Sequence, residues 1–233
     1  MFNFLRRRAA PDFDADFADL ARNEALADAW HYAHGWANGP PFANRWSADQ
    51  AAGSTQGLRL ELAVRDALDG DASDVVSAEV RSNAPCGYGR FESRFRAARA
   101  DGVVTSLFVY TGPSEGTVHD EIDIEILGCD PTHVHFNYFR NGVESEPRRV
   151  ALGFDASAGF HTYAFEWRRG QIDWFVDNKR HHSARGTGVP RTPGRVMMNL
   201  WAVDETAYGW AGAFDASALP VHAHYQYARY RAF

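Results

Sequence analysis

Cysteine is scarce: Cys86 and Cys129 are the two thiols in a chain of 233 residues. That excludes a densely disulfide-stapled scaffold and a cysteine-based zinc site, whose ligands come in closely spaced sets. Both thiols are expected to be free. Long apolar runs are missing too, and no stretch approaches the ~18 residues that a membrane-crossing helix needs. Basic charge is in deficit, since 24 Lys and Arg against 30 Asp and Glu leave a net charge of −6 and a pI near 5.9. Such a surface repels phosphate backbones, so nucleic acid is not an expected partner. Beyond residue 30 there is no long 3.6-residue apolar period, no linker-like stretch and no internal repeat. At the start, Arg6, Arg7 and Arg8 are not followed by an apolar segment, so no signal peptide is visible. Residues 1–16 read as a polar arm. Asp12, Asp14 and Asp16 alternate like the opening of a calcium loop, but Phe17 stands where the sharp turn needs glycine, which rejects an EF-hand.

What is present points to sheets. Hydrophobic residues make up 45% and charged residues 23%, enough for a full core. The 7 Trp, 9 Tyr and 16 Phe suit either a bulky core or a cleft lined with flat rings, on which the C–H faces of sugars stack. Residues 58–64, 89–95, 162–167 and 172–176 alternate with period two, and Asp177-Asn178 reads as a turn. Many short strands in one chain of this length predict an all-β protein, a jelly-roll sandwich of two antiparallel sheets, with residues 17–233 as a single domain. A short helical turn is expected within residues 17–30, before Trp30.

The most informative segment is 119–128. Glu121, Asp123 and Glu125 stand at i, i+2 and i+4 and share one strand face, while Ile122, Ile124 and Ile126 take the other. Three carboxylates stacked without a basic partner on their own strand repel one another, so a purely structural role explains them poorly. Glycoside hydrolysis with retention gives them a purpose. It needs two carboxyl groups ~5–5.5 Å apart, one ionised to attack the sugar carbon and one protonated to assist the leaving oxygen. Residues i and i+4 lie roughly 13 Å apart along an ideal strand. The two long Glu side chains must therefore converge over the sugar, with the shorter Asp123 tuning them from between.

Glu121-Ile122-Asp123-Ile124-Glu125 resembles the signature of glycoside hydrolase family 16, and residues 120–128 are similar to its bacterial lichenase (1,3-1,4-β-glucanase) form. Supporting motifs lie at 35–39, 88–89, 108–113, 136–138, 160–165 and 197–201, so the resemblance runs from about Phe17 to Phe233. It implies a jelly roll with an open cleft on a concave face and an endo-acting retaining enzyme. Glu121 would be nucleophile, Asp123 assisting acid and Glu125 acid/base. It implies sugar contacts from Trp36, Asn38 and Phe42 on an N-terminal loop, and from Glu79, Arg81, Phe108, Tyr110, His119, His135, Asn137, Phe139, Asn199, Trp201 and Trp210. The implied partner is a β-glucan met outside the cell or in the periplasm by a monomer.

Departures from the pattern temper this. His119 stands where lichenases often carry Trp, as it does in members that cut acidic exopolysaccharides. His133 and His135 share a face but lack a third metal ligand, so no metal site is expected. His181-His182 is expected to be solvated near a turn. The disulfide of many lichenases would join positions held here by Arg45 and about Ser77. The aspartate that usually binds the family's structural calcium is replaced by Gln226, so no cofactor is expected to be required. The expected activity is endo-hydrolysis of β-1,3-1,4-glucan. Depolymerisation of a glucosyl exopolysaccharide, transglycosylation and a non-catalytic jelly-roll lectin are the alternatives, and the intact acidic row argues against the lectin.

Overall fold

The computed structural model describes residues 12–19, 29–66 and 73–233. In chain order the strands are β1 (Phe13–Asp16), β2 (Trp30–Tyr32), β3 (Arg45–Trp46), β4 (Ala51–Ser54), β5 (Gly57–Asp66) and β6 (Ser73–Ser77). They continue with β7 (Glu79–Ser82), β8 (Gly89–Arg96), β9 (Val103–Thr111), β10 (Asp120–Leu127), β11 (His133–Arg140) and β12 (Val143–Glu144). The last are β13 (Arg148–Ala151), β14 (His161–Arg168), β15 (Gln171–Val176), β16 (Lys179–Arg185), β17 (Arg195–Ala202) and β18 (Val221–Ala232). One four-residue α-helix, α1 (Tyr208–Ala211), follows β17.

Two sheets share a core. The cleft sheet runs β12-β11-β10-β9-β17-β7-β2, with β13 also paired to β11. The backing sheet runs β16-β15-β14-β8-β18-β5-β6-β3, joined by β1 on β18 and β4 on β5. All pairings are antiparallel except β3 with β6, which sets Arg45 opposite Val76 and Trp46 opposite Ser77. Arg45 and Ser77, where the resemblance would set a disulfide, thus lie on paired strands. Both cysteines are free.

Strand β8 shows how the sequence builds the sandwich. Phe91, Ser93 and Phe95 are fully buried while Arg90, Glu92, Arg94 and Arg96 alternate outward. On the neighbouring β14 of the same sheet, Tyr163 stacks on Phe95 at 4.2 Å and Phe165 on Phe91 at 4.7 Å. Each such pair contributes about 0.5–1.5 kcal/mol beyond its buried area. Ile122, Ile124 and Ile126 of β10 face this core with no exposed surface, as period-two alternation requires. Long-range hydrogen bonds from two side chains tie the sheets together under the acidic row. Trp174 Nε1 of β15 donates to the Asp123 carbonyl at 3.1 Å, and the Tyr225 hydroxyl of β18 donates to the carbonyls of Ser106 and Asn199 at 2.8 and 3.2 Å.

Several expectations change. Residues 13–16, part of the polar arm in the reading above, pair with residues 227–230, and Asp14 forms ion pairs with Arg229 and Arg231. Residues 1–11 lie outside the described residues. The helical turn expected within 17–30 is a 3-10 turn at Phe17–Asp19, and residues 20–28 also lie outside the described residues. His181 and His182 belong to β16 and are half-buried, and His182 stacks on Trp174 at 5.3 Å. Asp177 and Asn178 turn as expected, with φ of 46° and 63°.

A bulge in β18 between Tyr225 and Tyr227 sets Gln226 out of register. Facing it, Gly57 has φ +106°, and a Cβ there would lie 2.2 Å from the Tyr225 carbonyl oxygen, so only glycine fits. The Gln226 amide oxygen accepts from the Arg94 guanidinium, which also donates to the Phe160 carbonyl at 3.3 Å.

Candidate active site

Strand pairing arranges the polar residues of the cleft sheet in rows. Glu121 sits between Tyr110 of β9 and Phe139 of β11, Asp123 between Phe108 and Asn137, and Glu125 between Ser106 and His135. The rows extend to Arg195, Met197 and Asn199 on β17, and to Arg81 and Glu79 on β7. Directly opposed residues on neighbouring strands bring their Cβ atoms to ~4.5–5.5 Å, so these side chains share one face.

A cavity of about 730 Å³ opens on this face. Its walls include Trp36, Asn38, Phe42, Glu79, Arg81, Phe108, Tyr110, Glu121 and Asn199, nine of the residues singled out above. Met197, Ser114, Ala37 and Pro40 complete it. Met197 alternates with Asn199, a signal that would have found it; Ser114 comes from the 3-10 turn Pro113–Glu115 and left none. The remaining chosen residues divide differently. His119, Asp123, Glu125, His135, Asn137 and Phe139 continue the face beyond the cavity along β10 and β11. Trp201 is only 5% exposed, packed at 4.2 Å against Phe42, and so supports the N-terminal loop from beneath. Trp210 lies on α1 rather than a loop, with its Nε1 3.4 Å from His135 Nδ1. Asn38 accepts from Trp46 Nε1 at 3.0 Å, which holds the loop carrying exposed Trp36.

The electrostatics separate the three acids. Burial pushes the Asp123 carboxyl well above the usual carboxylate range. The charges of Glu121 and Glu125, a hydrogen bond to Glu121 and the charge of Glu144 add to this. Glu125 is pushed up to about 8 by burial and then by Glu121 and Glu144. Glu79 rises to about 7 through burial, against the opposing pull of Asn199 and Arg81. His119 Nε2 lies 2.6 Å from Glu121 Oε2, and this hydrogen bond raises the imidazole above its ordinary value. His135 is driven down to about 4, chiefly by burial, and stays neutral. Glu121 is thus bordered by two carboxyl groups that hold protons and by one imidazole. Acids that keep their protons beside the reacting carboxyl group can supply the proton that a leaving oxygen needs.

Below this row, Asp120 anchors the strand. It is 1% exposed and accepts from Arg140 Nη1 at 2.9 Å and from the backbone amides of Asn141, Arg191 and Thr192 at 2.8–3.0 Å. Burial alone would raise its carboxyl, but these donors outweigh it and hold the group below the usual range.

A two-sheet sandwich whose cleft floor carries a row of three carboxyl groups, two of them held protonated by burial, has the architecture of a glycoside-cleaving enzyme. The comparisons specify which. Residues 38–219 match the model of the glycosyl hydrolases family 16, and the chain belongs to that family. It is 42% identical over 204 residues to a beta-glucanase of Paenibacillus macerans, covering 86% of this chain and 82% of that protein. Among solved structures, a Bacillus licheniformis beta-glucanase superposes with a TM-score of 0.86 at 38% identity, covering 96% of this chain and 99% of that one. A prokaryotic beta-1,3-1,4-glucanase (lichenase) from a mouse hindgut metagenome superposes with a TM-score of 0.87 at 34% identity, covering 96% and 100%.

Proposed function

We propose that the chain is an endo-acting, retaining β-glucanase for β-1,3-1,4-glucan, with Glu121 as nucleophile, Glu125 as acid/base and Asp123 as assisting acid. The observation that carries it is the single row in which Glu121 meets two proton-holding acids, Asp123 and Glu125. A Glu121 oxygen attacks the sugar C1, the bond to the leaving oxygen breaks, and the Glu125 proton passes to that oxygen. Water then attacks C1, its proton goes to Glu125, and the electron pair of the C1–Glu121 bond returns to the Glu121 carboxylate. Two inversions retain the configuration. Trp36 and Tyr110 offer ring faces to the sugars, while Glu79, Arg81 and Asn199 offer polar contacts. The similarity to named beta-glucanases supports the substrate class, and a polysaccharide substrate supports work outside the cytoplasmic membrane. On lichenan or barley β-glucan, viscosity is expected to fall before much reducing sugar appears. No cleavage of any β-glucan or glucosyl exopolysaccharide across pH 5–8 overturns the reading.

Membership of the family implies a structural calcium, and the residues here do not fit one. The Gln226 oxygen is engaged by Arg94, whose fixed positive charge disfavours a second cation beside it. The adjacent cavity offers one carboxylate, Asp16, among Thr55, Gln56, Gly57 and Tyr227. Among the described residues no group of three or more His, Cys, Asp or Glu gathers as metal ligands. A chelator is therefore expected to shift the melting temperature by less than about 2 °C, whereas losing an ion bound far above its dissociation constant costs several degrees. A fall of about 5 °C or more with chelator, reversed by calcium, overturns this.

A further inference from the structure

Where the family often carries tryptophan beside its acids, this chain places an imidazole on the nucleophile. His119 Nε2 lies 2.6 Å from Glu121 Oε2, with side-chain exposures of 29% and 18%. The ring cannot swing away freely. It stacks on Phe139 at 4.9 Å and 17°, leans on Tyr110 at 5.3 Å, and its own carbonyl accepts from the Gly142 amide at 2.8 Å. We propose that His119 is a positioning residue that weights the two chemical steps unequally, steadying the free Glu121 carboxylate and so promoting its departure from the glycosyl-enzyme at the expense of its attack. The inference rests on the reading of Glu121 as nucleophile.

The physical basis is differential. An N–H donor on a carboxylate is strongest when the acceptor carries full charge. Once Glu121 is esterified to the sugar that charge is gone and the hydrogen bond weakens. The donor therefore lowers the free carboxylate relative to the ester. Attack on C1 runs against this preference, and departure of the carboxylate as water attacks runs with it. Protonation of His119 sharpens the effect. The charged groups acting on it are Glu121 on its own face of the adjoining β10, and Asp120 beneath, itself paired with Arg140. Tyr110 of β9 and uncharged Phe139 of β11 supply the rings, and Glu144 of β12 is aligned with Phe139. Glu121 first, and Asp120 after it, favour the imidazolium, which gives up its proton more readily once Glu121 is esterified.

The test uses His119→Gln, which keeps a neutral donor, and His119→Phe, which keeps a ring for Phe139 but no donor. With an aryl β-glycoside carrying a good leaving group, release of the phenol is expected to be at least as fast as in the parent enzyme. Breakdown of the intermediate should slow about tenfold in the Phe variant and less in the Gln variant. The signatures are a burst of phenol, a covalent sugar adduct by intact mass, and kcat and KM falling together. The acidic limb of kcat/KM should also move to lower pH in both variants. If kcat/KM and kcat fall in proportion, with no burst, no adduct and an unmoved limb, His119 is merely structural and the proposal fails. Wild-type behaviour in both variants also overturns it while leaving Glu121 untouched. Wild-type activity in Glu121→Ala instead removes the reading beneath it.

Discussion

Glu121→Ala is expected to lose activity on β-glucan by a factor of about 10⁴ or more, because no other group on the row stands where its carboxylate does. Given an α-glycosyl fluoride, which mimics the inverted intermediate, the variant should form new β-linked products, since Glu125 can still serve as base for an incoming sugar. Glu125→Ala should lose about 10²–10⁴-fold on polysaccharide yet keep much of its activity on substrates whose leaving group needs no proton. Azide should speed the Glu125 variant and yield a β-glycosyl azide, two inversions preserving configuration. The parent enzyme should lose kcat/KM as pH rises through the ionisation of Glu125 near 8, because the proton donor is then spent. The alanine variant should lack that limb on activated substrates. An α-azide from Glu121→Ala, with no rescue of Glu125→Ala, would interchange the two roles. Undiminished activity in both would make the row a polar surface.

Asp120→Ala is expected to destabilise the fold by about 3–5 kcal/mol, the range for removing one partner of a buried ion pair. In a chain of this size that lowers the melting temperature by roughly 10 °C. The carboxylate is 1% exposed, and its loss strands Arg140 and three backbone amides from the segments after β11 and before β17. The pH dependence has a definite sign. The folded-state carboxyl is held below its unfolded value, so its contribution is present above about pH 4 and disappears as pH falls through the lower, folded value. The gap between parent and variant in denaturant melts should be full at pH 7 and shrink as pH falls below about 4. A gap that is constant with pH, or a cost below about 1 kcal/mol, would show that Asp120 is not the anchor of this strand.

The legible parts of the molecule are those governed by neighbours in sequence. Isoleucines alternating with acids along β10 declared both the core face and the cleft face, and β8 did the same with its aromatics and arginines. Strand β1 was hidden because its register is set by Arg229 and Arg231, more than two hundred residues away. Trp201 alternates with Asn199 and so looked like a cleft ring, yet the N-terminal loop folds Phe42 over it. The raised proton affinity of Glu79 depends on burial between strands brought together from across the chain, which no local pattern records. His119 shows the same limit. Its place two residues before Glu121 put both on one face, but the rings of Phe139 and Tyr110 confine the imidazole beside the carboxylate.

The paired ties from Trp174 and Tyr225 divide the molecule by its freedom to change. Both end on carbonyls at the levels of Asp123 and Glu125, so the strands beneath the acids are referenced to the opposite sheet rather than to the cleft walls. Part of the cleft wall comes from elsewhere: the stretch bearing Trp36 and Phe42, and the turn at Pro113–Glu115. Substitutions or insertions in these segments can alter which sugar decorations and linkages are admitted while the spacing of the acids stays as it is. That part of the substrate range can therefore change without altering the strands that hold the acids.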